Sequence, residues 1–508
     1  MRQSTIAVRR GSLLLVTLLL GAAPLAVPPV VAGSASHAAE RWVGYKIPRT
    51  GEAAGGWIGG YRIGHKPIFL ITPTREPNRQ GYRRARVVDD LSGRRGATRA
   101  DTKRAAWILS KYGGYRDATQ AAAVDASVYA VLVGGRWSIT GGLGARRIHE
   151  TPDSATVLRF ARIMLHQSRL HAGQYHARVK ATNADAGGTI EATVTVTDGH
   201  GRPAAGLPVT VATAGAAAVQ AVTGDNGKAV TRFAVSQPGQ HRITATVRQV
   251  PEHRLHLRLP VRQGQAAAAE AGVRRKLVAS TRAAVRGSQA LGLQASPATL
   301  LVGSATRVMA SVTGDGTPRS AAGTLYGPFG SVSAAQCAGP AVGTVTKQVS
   351  ADGVYALPAL TPGAAGYYVW RVAVGGTPTA LPVAACGAVT TVKAVATVTV
   401  TVLNLWMTAQ DSAQVQVVLS GLPRLPAVDV TLSLLGPYTT EQERTARNCS
   451  GPIATSEIHR MNGDATVTLN PYIADPGWYV LQATVPPGEL RQGSQSACLA
   501  PGTLLNVA

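Results

Sequence analysis

Four cysteines divide the second half of the chain into two matching parts, and this limits the possible folds more than any other feature. Cys337 and Cys386 are separated by 49 positions, and so are Cys449 and Cys498. Their surroundings match as well. Leu325-Tyr326-Gly327-Pro328-Phe329 precedes the first pair and Leu435-Gly436-Pro437-Tyr438 the second. Cys337-Ala338-Gly339-Pro340 parallels Cys449-Ser450-Gly451-Pro452, and Gly366-Tyr367-Tyr368-Val369-Trp370 parallels Gly477-Trp478-Tyr479-Val480-Leu481. A self-similar period of this length marks a tandem domain repeat. Four cysteines allow three pairings. The repeat selects Cys337–Cys386 and Cys449–Cys498, because each unit then closes its own bridge. Each closed loop is worth about 4 kcal/mol in the chain-entropy treatment. The cysteine and histidine spacing does not fit a structural metal site.

Inside the repeats, threonine alternates with apolar residues, as in Ala396-Thr397-Val398-Thr399-Val400-Thr401-Val402, and glycine and proline separate the short runs. Period-2 alternation with turn punctuation predicts antiparallel sandwiches over 290–395 and 396–508. Residues 176–289 read the same way. Thr189-Ile190-Glu191-Ala192-Thr193-Val194-Thr195-Val196 alternates, and Asp225-Asn226-Gly227 supplies a hairpin turn. His253, Leu255, Leu257, Leu259 and Val261 alternate with Arg254, His256, Arg258 and Arg262, which predicts a strand of this module with the cations outward. The middle module resembles bacterial Ig-like domains of invasin type, in Val196-Thr197-Asp198 through Leu207-Pro208-Val209 and in Thr223-Gly224-Asp225-Asn226-Gly227-Lys228-Ala229. That resemblance implies a stalk or binding module and no chemistry.

Export is expected from the start of the chain. Arg2, Arg9 and Arg10 form a basic region, residues 12–20 are apolar, and Ser36-His37-Ala38 fits a cleavage site, so 1–38 reads as a signal peptide. The apolar run is short and followed by prolines, which disfavours a membrane span. No sorting motif is read near the C-terminus. The expected location is extracellular, either released or held non-covalently at the cell surface.

Residues 40–172 differ from the rest. Strand patterns at 55–63 and 66–73 precede helical patterns at 101–112, at 118–133 after Asp117, and in a segment opened by Thr151 as N-cap and Pro152 at N1. This region resembles the thioester domain of Gram-positive surface adhesins, through Phe69-Leu70-Ile71-Thr72-Pro73, Ala105-Ala106-Trp107-Ile108-Leu109, and Val124-Asp125-Ala126-Ser127-Val128-Tyr129. The family joins a strand cysteine to a helix glutamine in an electrophilic acyl bond. Here Leu70 stands at the cysteine position and Asp125 at the glutamine position, and the first cysteine of the chain is Cys337. The resemblance therefore implies the fold without its covalent chemistry. Asp125 then needs a partner or water, because an unpaired buried carboxylate is costly.

Charge is unevenly distributed. Lys and Arg outnumber Asp and Glu by 23 to 10 over residues 40–175 and by 15 to 6 over 176–289, whereas residues 396–508 carry 5 against 8. A basic field attracts polyanions. The candidate contacts are Arg83, Arg84, Arg86, Arg94, Arg95, Lys103, Arg104, Arg254, Arg258 and Arg262, with Tyr82 and Tyr112 near the first group. No reader motif for specific nucleic acid is present. No G-x-S-x-G, H-E-x-x-H or P-loop pattern occurs, and no cofactor or catalytic residue is implied. The last repeat has no lysine, which excludes an isopeptide cross-link there. The expected protein is mainly β, an α+β N-terminal domain followed by three Ig-like sandwiches. It is expected to act as a non-catalytic, adhesin-like binder of anionic wall polymer, glycan or protein. The alternatives are a secreted enzyme with an unrecognised site in 40–172 and a structural envelope spacer.

Overall fold

The computed structural model describes residues 43–48, 56–77, 81–95, 97–422 and 427–508. The expected signal segment lies outside them. The chain forms two compact units, one containing residues up to 166 together with 254–272, the other containing 167–253 and 273–508. In chain order the elements that matter here are β1 (Val43–Lys46), β2 (Trp57–Ile63), β3 (Lys66–Leu70), β4 (Arg86–Val88), α1 (Ser92–Arg95), α2 (Arg99–Tyr112), α3 (Ala118–Leu132), α4 (Gly142–His149), α5 (Ser154–His171), β5 (His176–Ala181), β6 (Ala184–Asp185), β7 (Thr189–Thr197), β8 (Pro208–Ala212), β9 (Val219–Val222), β10 (Lys228–Ala234), β11 (Gly239–Pro251), β12 (Leu255–Arg258), β13 (Ala268–Glu270) and β14 (Arg274–Arg286).

The helices of the first unit start where side chains can satisfy free amides. Thr98 and Asp101 form a reciprocal capping box at the start of α2, and the Asp117 carboxylate accepts the Gln120 N–H at 2.7 Å at the start of α3. The third expected cap is corrected. Thr151 donates its hydroxyl to Ile148 O at 2.6 Å and so finishes α4, a helix not expected from the sequence. Asp153 opens α5 instead, its carbonyl accepting the Val157 N–H at 3.0 Å. The middle of α3 is buried on every side, from Ala121 through Tyr129. A helix apolar all round belongs in a core. Its alanines let it lie close to α2, β1 and β2.

The sheet of this unit runs β1-β2-β3-β13-β12-β4. Two of its strands come from far along the chain. Ala268, Ala269 and Glu270 of β13 pair with Leu70, Phe69 and Ile68 of β3, and Leu255, His256 and Leu257 of β12 pair with Val88, Val87 and Arg86 of β4. Ala266, Ala267, Ala268 and Ala269 are all buried, so this alanine run is covered on both faces.

The expected module over 176–289 is therefore interrupted. β11 and β14 pair along Gly239–Pro251, and the stretch between them leaves the sandwich. Leu255 and Leu257 are buried as their alternation implies, but in the sheet of the first unit. The remaining strands form two sheets, β10-β7-β5 and β6-β14-β11-β8-β9. Gly227 takes a φ of 68° in the hairpin turn before β10 and donates its N–H to Gly224 O at 2.8 Å.

The two repeats share one topology. In the first, strands Ala290–Ser296, Arg307–Thr313 and Gly353–Ala356 face a sheet ordered Thr299–Leu301, Val383–Val395, Gly366–Val374, Arg319–Phe329, Ala341–Val349. In the second, Thr397–Val402, Val415–Ser420 and Ala465–Leu469 face Trp406–Met407, Leu504–Val507, Gly477–Val485, Val428–Tyr438, Ile453–Met461. Alternation fills both cores, with Val398, Val400 and Val402 buried beside Val415, Val417 and Leu419 in the second. Cys337 bonds Cys386 and Cys449 bonds Cys498, with Cα separations of 5.9 and 6.0 Å. The fold is mainly β, with an α+β N-terminal region and Ig-like sandwiches. Among the described residues, no helix is long and apolar enough to cross a membrane.

Candidate functional site

A cavity of about 440 Å³ lies in the first unit where β2, β3 and α3 converge. Its lining includes Trp57, Gly59 and Tyr61 from β2, Leu70 from the end of β3, and Asp125 and Tyr129 from α3. Leu70 and Asp125, 55 positions apart, thus border one space. Leu70 is buried and belongs to a core cluster with Tyr61, Ile68, Tyr129, Trp137, Leu143, Ala266 and Ala268.

Asp125 is buried among charges that balance it. Its Oδ2 accepts from the Arg147 guanidinium at 2.7 Å and from the Gly59 N–H at 3.3 Å. Arg147 comes from α4, and its other contacts fix it in place. The same Nη2 donates to Trp57 O at 2.8 Å, and the guanidinium lies 4.8 Å from the Tyr129 ring centroid and 5.7 Å from that of Trp137. Both side chains of the pair are only 3% exposed. Burial pushes the Asp125 carboxyl up from its usual range, and Arg147 pulls it back in part. Burial also raises the Tyr61 phenol strongly, so it stays neutral. Gly59 is required by the geometry. Its φ is 144°, and a Cβ there would meet Val43 O at 2.3 Å. Arg147 is the residue that sequence reasoning missed: its only signal was the need of Asp125 for a partner.

The candidate cations separate by environment. Arg83, Arg84 and Arg86 are exposed along the β4 edge, and Arg262 is exposed just beyond β12. The two segments lie side by side, with Arg83 N–H donating to Leu259 O at 2.9 Å and Val261 N–H to Gly81 O at 3.2 Å. Arg258 is corrected as an outward contact. Its Nε donates to Glu270 at 2.7 Å, and Glu270 is buried between β3 and β12, where only a paired carboxylate is tolerated. Arg104 is half-buried and pairs with Asp101 at 3.3 Å, while Lys103 is half-buried beside it on α2. Arg254 is exposed at the start of β12. Arg94 and Arg95 lie in α1, their side chains outside the described residues. Among the described residues, Arg83, Arg84, Arg86 and Arg262 form no ion pair, so their charge remains available.

Residues 175–254 match the family described as bacterial Ig-like domain (group 1). No curated protein matches the chain. Among solved structures, the chain is similar to a tetra-tandem repeat from the extending region of a large adhesion protein, at 13% identity over 64% of this chain and 74% of that one, with a TM-score of 0.32. It is similar to the Escherichia coli adhesin FdeC, at 16% identity over 66% and 97%, with a TM-score of 0.28. It is also similar to invasin, a bacterial integrin-binding protein, at 17% identity over 66% and 60%, with a TM-score of 0.24. The similarity to bacterial Ig-like domains of group 1 thus falls on the part of the sandwich within residues 175–254.

Proposed function

We propose that this is an extracellular surface-binding protein whose N-terminal unit holds an anionic envelope polymer or glycan reversibly, with the Ig-like sandwiches as its stalk. One observation carries the reading: Arg83, Arg84, Arg86 and Arg262 gather, exposed and unpaired among the described residues, along the β4–β12 edge. Cations arranged on adjacent strands meet a polymer of negative charges at several points at once. Polar edge residues also discourage strand-to-strand aggregation, so the row is compatible with a soluble edge.

Reversibility follows from the chemistry beside the cavity. The resemblance to thioester domains implies an acyl bond between the positions of Leu70 and Asp125, and Leu70 offers no thiol to close it. Asp125 is held by Arg147 and Gly59 instead, an arrangement that fixes α3 to β2 without a covalent link. The purified chain should therefore keep its sequence mass, apart from leader removal and the two disulfides, and take up no methylamine.

The test is retention on immobilised heparin or poly(glycerol phosphate). Retention should fall steeply as salt rises from about 0.1 to 1 M, over which the Debye length shrinks from about 10 to 3 Å. Charge reversal by R83E, R84E and R86E together should abolish it. Retention that ignores both salt and the triple variant would refute the electrostatic reading.

A further inference from the structure

We propose that the cavity beside Asp125 is a second site, which takes a single sugar ring carrying one negative substituent. This rests on the N-terminal unit being a reversible binder, but not on the arginine row, which lies on other strands.

The base of the cavity sets the polarity of the buried end of the ligand. Both contacts to Asp125 fall on Oδ2, and among the described residues Oδ1 accepts no hydrogen bond, although the side chain is only 3% exposed. Asp125 lines the cavity, and a carboxylate oxygen there has acceptor capacity that a ligand donor can use. The donor it favours is neutral. Asp125 is already balanced by Arg147 at 2.7 Å, and an ammonium placed there would crowd a second cation against the first. A carboxylate or phosphate is excluded from this end, because it would bury like charges together. Hydroxyl groups meet both conditions.

The walls and rim set the rest. Trp57, Tyr61 and Tyr129 line the cavity, with the Trp57 and Tyr61 ring centroids 6.4 Å apart. Aromatic faces suit the apolar C–H faces of a sugar ring. Lys46 and Arg75, both exposed, stand on the same lining with Glu76, so among the described residues cations outnumber acids at the rim. A volume of about 440 Å³ lies within the range of small-ligand sites. The ligand is thus neutral and hydroxylated at the buried end and anionic at the outer end, as in a hexuronic acid or a sugar phosphate.

Calorimetric titration of the full chain with glucuronic acid, glucose 6-phosphate, glucose and glucosamine tests this. Glucuronic acid or glucose 6-phosphate should bind at least tenfold tighter than glucose, and glucosamine should bind most weakly; which of the two anions binds tighter identifies the substituent. K46E with R75E alters only exposed side chains. It should weaken the anionic sugar about tenfold, leave glucose unchanged and leave heparin retention in place. W57A should remove binding of every sugar while keeping the circular dichroism of the parent. If no sugar binds while heparin is still retained, the cavity proposal falls and the arginine-row reading stands. Equal affinity for glucuronic acid and glucosamine would overturn it as well.

Discussion

Replacing Arg147 by methionine removes the partner of a carboxylate that is only 3% exposed. The loss comprises the 2.7 Å ion pair, the 2.8 Å bond to Trp57 O, and two cation–π contacts, while Asp125 keeps one N–H from Gly59. Breaking one side of a buried pair costs about 3–5 kcal/mol, chiefly because the remaining charge is uncompensated. At 1.4 kcal/mol per factor of ten, hydrogen exchange of α3 amides in the full chain should accelerate by roughly a hundredfold to a few thousandfold. The pH dependence has a defined sign. Burial already raises the Asp125 pKa, and losing Arg147 raises it further. The destabilisation of R147M should therefore be small near the unfolded value of about 3.9, where the carboxyl is protonated, and grow as pH rises through the folded value. A double variant, D125L with R147M, should recover most of the loss, since a buried pair replaced by apolar groups of similar size is often neutral. Hydrogen–deuterium exchange read by peptide mass, on 118–132 and 57–63, reports the local effect in an otherwise intact chain. Unchanged exchange in R147M, or a double variant as loose as the single one, would refute the view that this pair holds α3 to β2.

Other consequences are equally direct. Leu257→Ala should cost about 2–5 kcal/mol and loosen β3 and β4 of the first unit more than β7 or β10 of the sandwich, as exchange mapping would show. A fragment of residues 40–172 alone should lack fixed near-ultraviolet circular dichroism, and adding a peptide of residues 252–273 should restore part of it. Converting Cys337 and Cys386 to serine should remove about 4 kcal/mol from the first repeat and leave exchange in the second unchanged. Acid should weaken the first repeat through Asp315. Burial alone would raise this carboxyl, but hydrogen bonds from Thr377, Thr379 and Thr317 outweigh that and hold it well below the usual range. Its stabilisation is present above about pH 3.9 and is lost as pH falls toward the depressed folded value, so T377A with T379A should flatten the acid limb of the melting profile.

The features legible in the sequence were those that act locally or repeat. Asp117 before an apolar helix announces its cap, and alternation from Thr397 to Val402 announces a strand whose valines face inward. The duplicated cysteine surroundings announced a pairing because they compare the chain with itself. Thr151 misled because a threonine followed by proline looks like a helix start, yet its hydroxyl had a closer acceptor in the turn behind it, Ile148 O. The β12–β13 excursion was invisible for a different reason. Alternation at Leu255 and Leu257 says that one face is covered but not what covers it, and the partners are 167 or more positions upstream at Val88 and Arg86. Arg258 looked outward for the same reason, since its acid, Glu270, belongs to the next strand of the hairpin. Leu70 and Asp125 border one cavity, whereas Arg147, the partner of Asp125, comes from a helix that periodicity did not predict.

The route of the chain through β12 and β13 also orders events in time. Synthesis delivers residues from the amino end, so β3 and β4 exist long before the two strands that must lie between them. Until residue 270 has emerged, the leading unit is a sheet with its middle missing, and its apolar edges wait for a hairpin that a later domain carries. The earlier-made of the two units thus cannot finish folding until part of the later one has emerged, and its edges need shielding in the interval.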